Sequence, residues 1–191
     1  MAALADACAG GCIPGARVAA VIGTHPDSPA LARAQGLGLE TLVVRGKDAA
    51  FEQALLARLD ALSPDLICLA GYMRKLPASI LSRFAQRIVN IHPALLPSFG
   101  GHGMYGHHIH EAVLAHGCKV SGCTVHFVDE EFDTGPILVQ RCVPVEESDT
   151  PDALAARVLN AEHAAYPEAV ALIAAGRVQV EGRKVRILEQ A

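Results

Sequence analysis

The run at residues 65–71 (DLICLAG) constrains this chain more than any other segment. It is apolar almost throughout, and Ser63-Pro64 stops whatever precedes it. Continuous rather than alternating hydrophobicity over so few residues marks a strand covered on both faces. Similar β-rich runs occupy residues 17–23 (RVAAVIG), 41–45 (TLVVR) and 87–91 (RIVNI). Helical stretches separate them. One spans 29–35 and ends at Gly36 and Gly38. A second spans 49–62, with Phe51, Leu55, Leu59 and Leu62 on one face, and a short third spans 78–85. This β-α-β-α rhythm predicts an α/β, doubly wound, mostly parallel sheet with helices on both sides. Right-handed crossovers would collect the strand C-termini on one edge, where such sheets bind ligands. Gly71-Tyr72-Met73-Arg74 and Asn90-Ile91-His92-Pro93 follow strand ends on that edge.

The second half changes character. Residues 94–106 are rich in Pro and Gly and read as a loop, and 107–115 as a helix. Two longer strands are expected at 119–128 and 136–145, joined by the acidic turn 129–135 (DEEFDTG). Thr150-Pro151 opens a helix well, since Thr caps and Pro is tolerated in the first turn. That helix should reach about residue 175, with a kink or break at Pro167. The last 15 residues alternate and suggest a terminal hairpin.

The 191 residues suit a single domain, 1–191. With 51% hydrophobic and 19% charged residues the chain can bury a core, and with 4% aromatics and no Trp that core is aliphatic. No apolar run approaches the ~20 residues that span a bilayer. A net charge of −4 argues against nucleic acid as the main partner. The six cysteines include no Cys-x-x-Cys pair, and the N-terminus lacks a basic leader. They read as buried thiols in a reducing, cytoplasmic setting.

Asn90, His92 and Asp133 form the best chemical constellation. Asn90 and His92 are two apart on a strand and share a face, and Asp133 lies in a Gly-bounded turn after another strand. An amide donor, an imidazole and a carboxylate suit acyl transfer: the amide stabilises an oxyanion, the imidazole moves a proton or supplies charge, and the carboxylate raises the imidazole pKa. By spacing alone, a structural His and a common Asp-Thr-Gly turn account for these residues equally well.

Longer motifs point one way. NIHPALLPSF (90–99) resembles the Asn-Ile-His-Pro-Ser-Leu-Leu-Pro element of the formyltransferase family that uses 10-formyltetrahydrofolate, with Ala94 in place of Ser. GCTVHFVDEEFDTGPI (122–137) resembles its Gly-x-Thr-x-His-x-Val…Asp-x-Gly signature, LAGYMRKLP (69–77) its folate-contacting turn, and RVLNAEHAAYPEAV (157–170) its closing helix. The resemblance implies a Rossmann-like formyltransferase fold. It implies transfer of a formyl group to the amine of phosphoribosylglycinamide in purine biosynthesis, with 10-formyltetrahydrofolate as co-substrate and no metal. Formyltetrahydrofolate hydrolysis, or folate binding without turnover, is the alternative. Asn90, His92 and Asp133 match the catalytic trio: Asn90 and protonated His92 hold the oxyanion, and Asp133 keeps His92 charged. Met73, Arg74, Lys75 and Leu76 match the turn that lines the folate cleft. Val128, Asp129, Glu130 and Asp133 match the loop over the pterin. Glu162 matches a carboxylate facing the ribose of the acceptor. Partners are thus small molecules, with no nucleic acid and no membrane. Monomer and homodimer both stay open.

His126 reads as a packed, hydrogen-bonded strand residue. His102, His107, His108, His110 and His116 crowd one segment without a carboxylate or Cys to complete a zinc set. The start of the chain, Met1-Ala2-Ala3-Leu4, resembles the middle of the helix that follows the family's first strand and phosphate loop. Weak phosphate binding and low stability are expected of the chain as given.

Overall fold

The computed structural model describes residues 1–189; residues 190 and 191, the end of the expected terminal hairpin segment, lie outside it. In chain order the elements are α1 (Ala2–Ala9), β1 (Val21–Gly23), α2 (Pro29–Gly36), β2 (Thr41–Val43), α3 (Ala49–Leu62), β3 (Ile67–Leu69), α4 (Ala78–Arg83) and β4 (Ile88–His92). Then come α5 (His107–Ala115), β5 (Val120–Phe127), β6 (Ile137–Pro144), α6 (Pro151–Ala174), β7 (Val178–Glu181) and β8 (Lys184–Ile187). Local chemistry sets several boundaries. The Asp48 carboxylate accepts from the Phe51 amide to start α3, and Ser63 ends it in the left-handed region. Thr150 caps α6 through the Ala153 amide, with Pro151 in the first turn.

The β-α alternation holds, but the sheet is divided. β1 pairs with β2, and β3, β4, β5 and β6 form a second sheet in that order. Pairing is parallel for β1–β2 and β3–β4, and antiparallel for β4–β5 and β5–β6. The short connection between β5 and β6 accounts for the last reversal, since a parallel return needs a long crossover. β7 and β8 make a separate antiparallel hairpin.

A cavity of about 900 Å³ separates β1 from β3, lined among others by Met1, Leu4, Ile22, Leu66, Cys68 and Ile173. Every residue of β1 and β3 is only half-buried. Both runs have sequences suited to full cover, but each strand has one unpaired edge facing this space.

Two apolar clusters form the core. The larger joins β4, β5, β6, α5 and α6, with Val89, Val125, Ile109, Leu154 and Val158 essentially inaccessible. The smaller joins α3, α4 and β4 through Phe51, Leu55, Leu59, Ile80, Phe84 and Ile88. Of the kink or break expected at Pro167, the break does not occur: α6 continues through it. Ala165, Tyr166, Ala169 and Val170 around the proline are all buried. Their packing outweighs the ~3 kcal/mol that an interior proline costs a helix. The Tyr166 hydroxyl donates to the Leu69 carbonyl at 2.8 Å, with the Val89 carbonyl 3.1 Å away, pinning α6 across β3 and β4. The six cysteines are free. Among the described residues no helix is long and apolar enough to cross a membrane.

Candidate active site

The C-terminal end of β4 carries the site. Asn90 pairs with His126 of β5, and His92 with Thr124. Just beyond, the loop after β4 is fixed from beneath by Thr124. Its hydroxyl donates to the Ala94 carbonyl (2.6 Å) and accepts from the Leu96 amide (3.0 Å). Gln140 adds bonds to the Leu96 carbonyl (2.9 Å) and to Thr124 (3.0 Å).

Asn90, His92 and Asp133 do meet. His92 Nδ1 lies 3.5 Å from one Asp133 carboxylate oxygen, and His126 Nε2 lies 3.5 Å from the other. The Gly101 amide donates to Asp133 at 2.9 Å. His126 Nε2 also lies 3.3 Å from the Asn90 amide nitrogen, while its Nδ1 lies 2.8 Å from the Phe127 carbonyl. A carbonyl only accepts, so Nδ1 carries a proton. Nε2 lies between the Asn90 amide nitrogen and the Asp133 carboxylate, so His126 holds the Asn90 amide in place and leaves it an N–H for a ligand.

Both acid–base partners are nearly inaccessible, with side-chain exposures of 5% for His92 and 10% for Asp133. Burial alone would raise the Asp133 carboxyl, yet His126, His92 and the Gly101 amide together hold it below the usual carboxylate range. For His92 the balance goes the other way. Burial lowers the imidazole more than Asp133 and the Phe99 carbonyl, 2.8 Å from Nε2, can raise it. Burial thus works against the charge expected on His92, while both of its ring nitrogens face acceptors, Asp133 and the Phe99 carbonyl.

The residues expected around the co-substrate fall into four groups. Met73 is 66% exposed at the rim. Arg74 donates to the Gly46 carbonyl at 2.7 Å and lies over Phe51, and Lys75 pairs with Glu131 at 2.7 Å, so these two side chains already hold protein partners. Leu76 and Val128 pack on the smaller core cluster. Asp129 organises its own loop, accepting from Thr134 Oγ1 (2.7 Å) and the Glu131 amide (3.3 Å), and Glu130 is exposed. Glu162, on α6, is in none of the hydrogen bonds around the trio. Burial pushes its carboxyl up to about 7, against a small opposing pull from the Met1 ammonium.

His126 is buried and hydrogen-bonded as expected, and its contacts reach both Asn90 and Asp133. Two contributors escaped the sequence. The Phe99 carbonyl and Gly101 amide act through backbone, which side-chain identity does not encode. The one available signal was Gly100: a Cβ there would collide with Leu96 and press on Asp133. The histidines of α5 diverge. His107 faces Asp152, His108 faces Glu111, and His110 is buried with an unpartnered Nδ1. No group of three or more His, Cys, Asp or Glu side chains able to hold a metal occurs among the described residues.

A family model described as formyl transferase matches residues 1–170. The chain belongs to the formyl transferase family. A phosphoribosylglycinamide formyltransferase of Escherichia coli is 38% identical over 182 residues, covering 93% of this chain and 83% of that protein. The chloroplastic phosphoribosylglycinamide formyltransferase of Vigna unguiculata is 52% identical over 114 residues, which is 60% of this chain but only 36% of that longer protein. The chain thus spans well under two thirds of that plant relative. Among solved structures, glycinamide ribonucleotide transformylase 1 from Symbiobacterium toebii superposes with a TM-score of 0.91 at 47% identity, covering 98% of this chain and 87% of that one. The doubly wound formyltransferase fold expected from the motifs is thereby established for this family member.

Proposed function

We propose that the chain transfers a formyl group from 10-formyltetrahydrofolate to the primary amine of phosphoribosylglycinamide, a step of purine biosynthesis. The observation that carries this is the convergence of Asn90, His92 and Asp133 at one strand end, with His126 orienting the amide. The amine nitrogen attacks the formyl carbon and the carbonyl electron pair moves onto oxygen. The free N–H of Asn90 donates to that oxyanion. His92 takes the proton shed by the attacking nitrogen as the negative charge develops and passes it on to the folate nitrogen, while Asp133 offsets the burial that disfavours the charged ring. One proton leaves the new C–N centre and reaches the folate nitrogen as its bond to the formyl carbon breaks, so atoms and charge balance. The turn carrying Met73, Arg74, Lys75 and Leu76 and the loop carrying Val128, Asp129, Glu130 and Asp133 would hold the folate between them. Glu162 would face the acceptor.

The test is purified protein with 10-formyltetrahydrofolate, with and without phosphoribosylglycinamide, following free tetrahydrofolate and formylated product. Transfer requires the amine. Equal deformylation without it indicates a hydrolase, and binding without turnover an inactive folate-binding protein; either result overturns the proposal.

A further inference from the structure

The loop carrying Asp133 is gripped from outside by two basic side chains from separate parts of the fold. Lys75, on the turn after β3, meets Glu131 at 2.7 Å, and its ammonium lies 5.7 Å from the centre of the Phe132 ring. Arg183, at the turn of the β7–β8 hairpin, donates from Nη1 to the Thr134 carbonyl at 2.8 Å. The grips fall on residues 131, 132 and 134, flanking Asp133 on both sides. Asp133 itself has φ 58, a left-handed conformation that non-glycine residues adopt uncommonly. In that conformation its carboxylate faces His92, His126 and the Gly101 amide together.

Neither grip contributes much as a stabilising contact. Lys75 and Glu131 are 47% and 69% exposed, and exposed ion pairs add little to global stability. What they supply is position. Each closes a long separation in sequence, 56 residues for Lys75–Glu131 and 49 for Arg183–Thr134. They act beside the direct ties of Asp133 to His92, His126 and the Gly101 amide and the edge contact of Phe132 with His102. The hairpin also gains a purpose: it adds no strand to the main sheet, yet its turn reaches the active-site loop.

We propose that Lys75 and Arg183 are positioning residues that clamp loop 129–135 from opposite sides so that Asp133 stays beside His92, a role that presupposes the formyl-transfer reading above. The Lys75 side chain then holds the loop while the turn that carries it lines the folate cleft.

A charge swap tests the first grip and a conservative rescue the second. Lys75→Glu, Glu131→Lys and the double swap are compared, as are Arg183→Ala and Arg183→Lys. Amide hydrogen exchange of residues 130–135 is followed in the free protein, and kcat, KM and the pH profile in the transfer assay. Each single reversal and Arg183→Ala should speed loop exchange. Each should also lower kcat/KM about three- to fivefold, the scale of one exposed ion pair. Each should move the pH limb assigned to His92, while the melting temperature stays unchanged. The double swap and Arg183→Lys should return to within about twofold of wild type. A double swap no better than the combined singles overturns the clamp, as does unchanged loop exchange in the singles. If wild type shows no transfer, the formyl-transfer reading fails, and loop exchange alone still decides whether the two grips hold.

Discussion

Asp133→Asn isolates the electrostatic part of the site. Asparagine tolerates the left-handed conformation at φ 58 and can still accept from the Gly101 amide, so the backbone has little reason to move. What disappears is one negative charge 3.5 Å from His92 Nδ1. At an effective dielectric of about 20, a charge pair at that distance is worth about 5 kcal/mol, a ceiling that residual water access reduces. At 1.36 kcal/mol per factor of ten, that ceiling matches the 10²–10⁴-fold typical of acid–base groups. Single-turnover formyl transfer should therefore slow by about 10²–10⁴-fold. The direction in pH also follows. Burial already holds His92 below its ordinary value, and Asp133 is the largest influence opposing it. Without that charge the ring drops further, so the limb of the pH–rate profile assigned to His92 moves to lower pH. A loss of less than about threefold, or an unmoved limb in a variant of wild-type melting temperature, would refute the proposed charge development on His92.

Other consequences are open to measurement. Glu162 is held near 7 by burial against an ordinary 4.5, so the folded state keeps a proton that the unfolded chain loses. Its contribution is therefore most favourable at low pH and is lost as pH rises through about 7. Glu162→Gln should raise the melting temperature at pH 8 and change it little at pH 5; equal effects at both would refute this linkage. Gly100→Ala should cut turnover at least about tenfold by displacing Asp133, while leaving far-ultraviolet dichroism native; wild-type turnover would show that the loop yields freely. Val21 donates to the Glu40 carbonyl and Ile67 to the Arg87 carbonyl, so the intervening peptide groups of Ile22 and Cys68 face the cavity between β1 and β3. Amide exchange at Ile22 and Cys68 should outpace that at Val21 and Ile67, and equal protection would mean the cleft is closed in solution.

Much of this was legible from residue order. The helices at 49–62 and 107–115 follow from apolar spacing, capping and glycine placement, all local effects. Asn90 and His92 share a face because a strand has period two. Asp133 was placed by motif, and it lies 3.5 Å from His92. The Lys75–Glu131 pair was not legible, because it joins segments 56 residues apart. Nor was the continuity of α6 through Pro167: helix propensity is local, while the burial of Tyr166 and its neighbours is not.

The sequence by itself therefore determined the element types, the aliphatic core, the family and the three side chains proposed to react, since these rest on periodicity and on chemistry within one segment. Only tertiary structure decided how those groups behave. The burial that disfavours a charged His92 competes with a carboxylate 41 residues away in sequence. The orientation of Asn90 comes from His126, 36 residues away. The divided sheet is likewise a property of which edges find partners. In each case the deciding energy is an interaction between segments, and its sign depends on distance and solvent access that no single segment specifies.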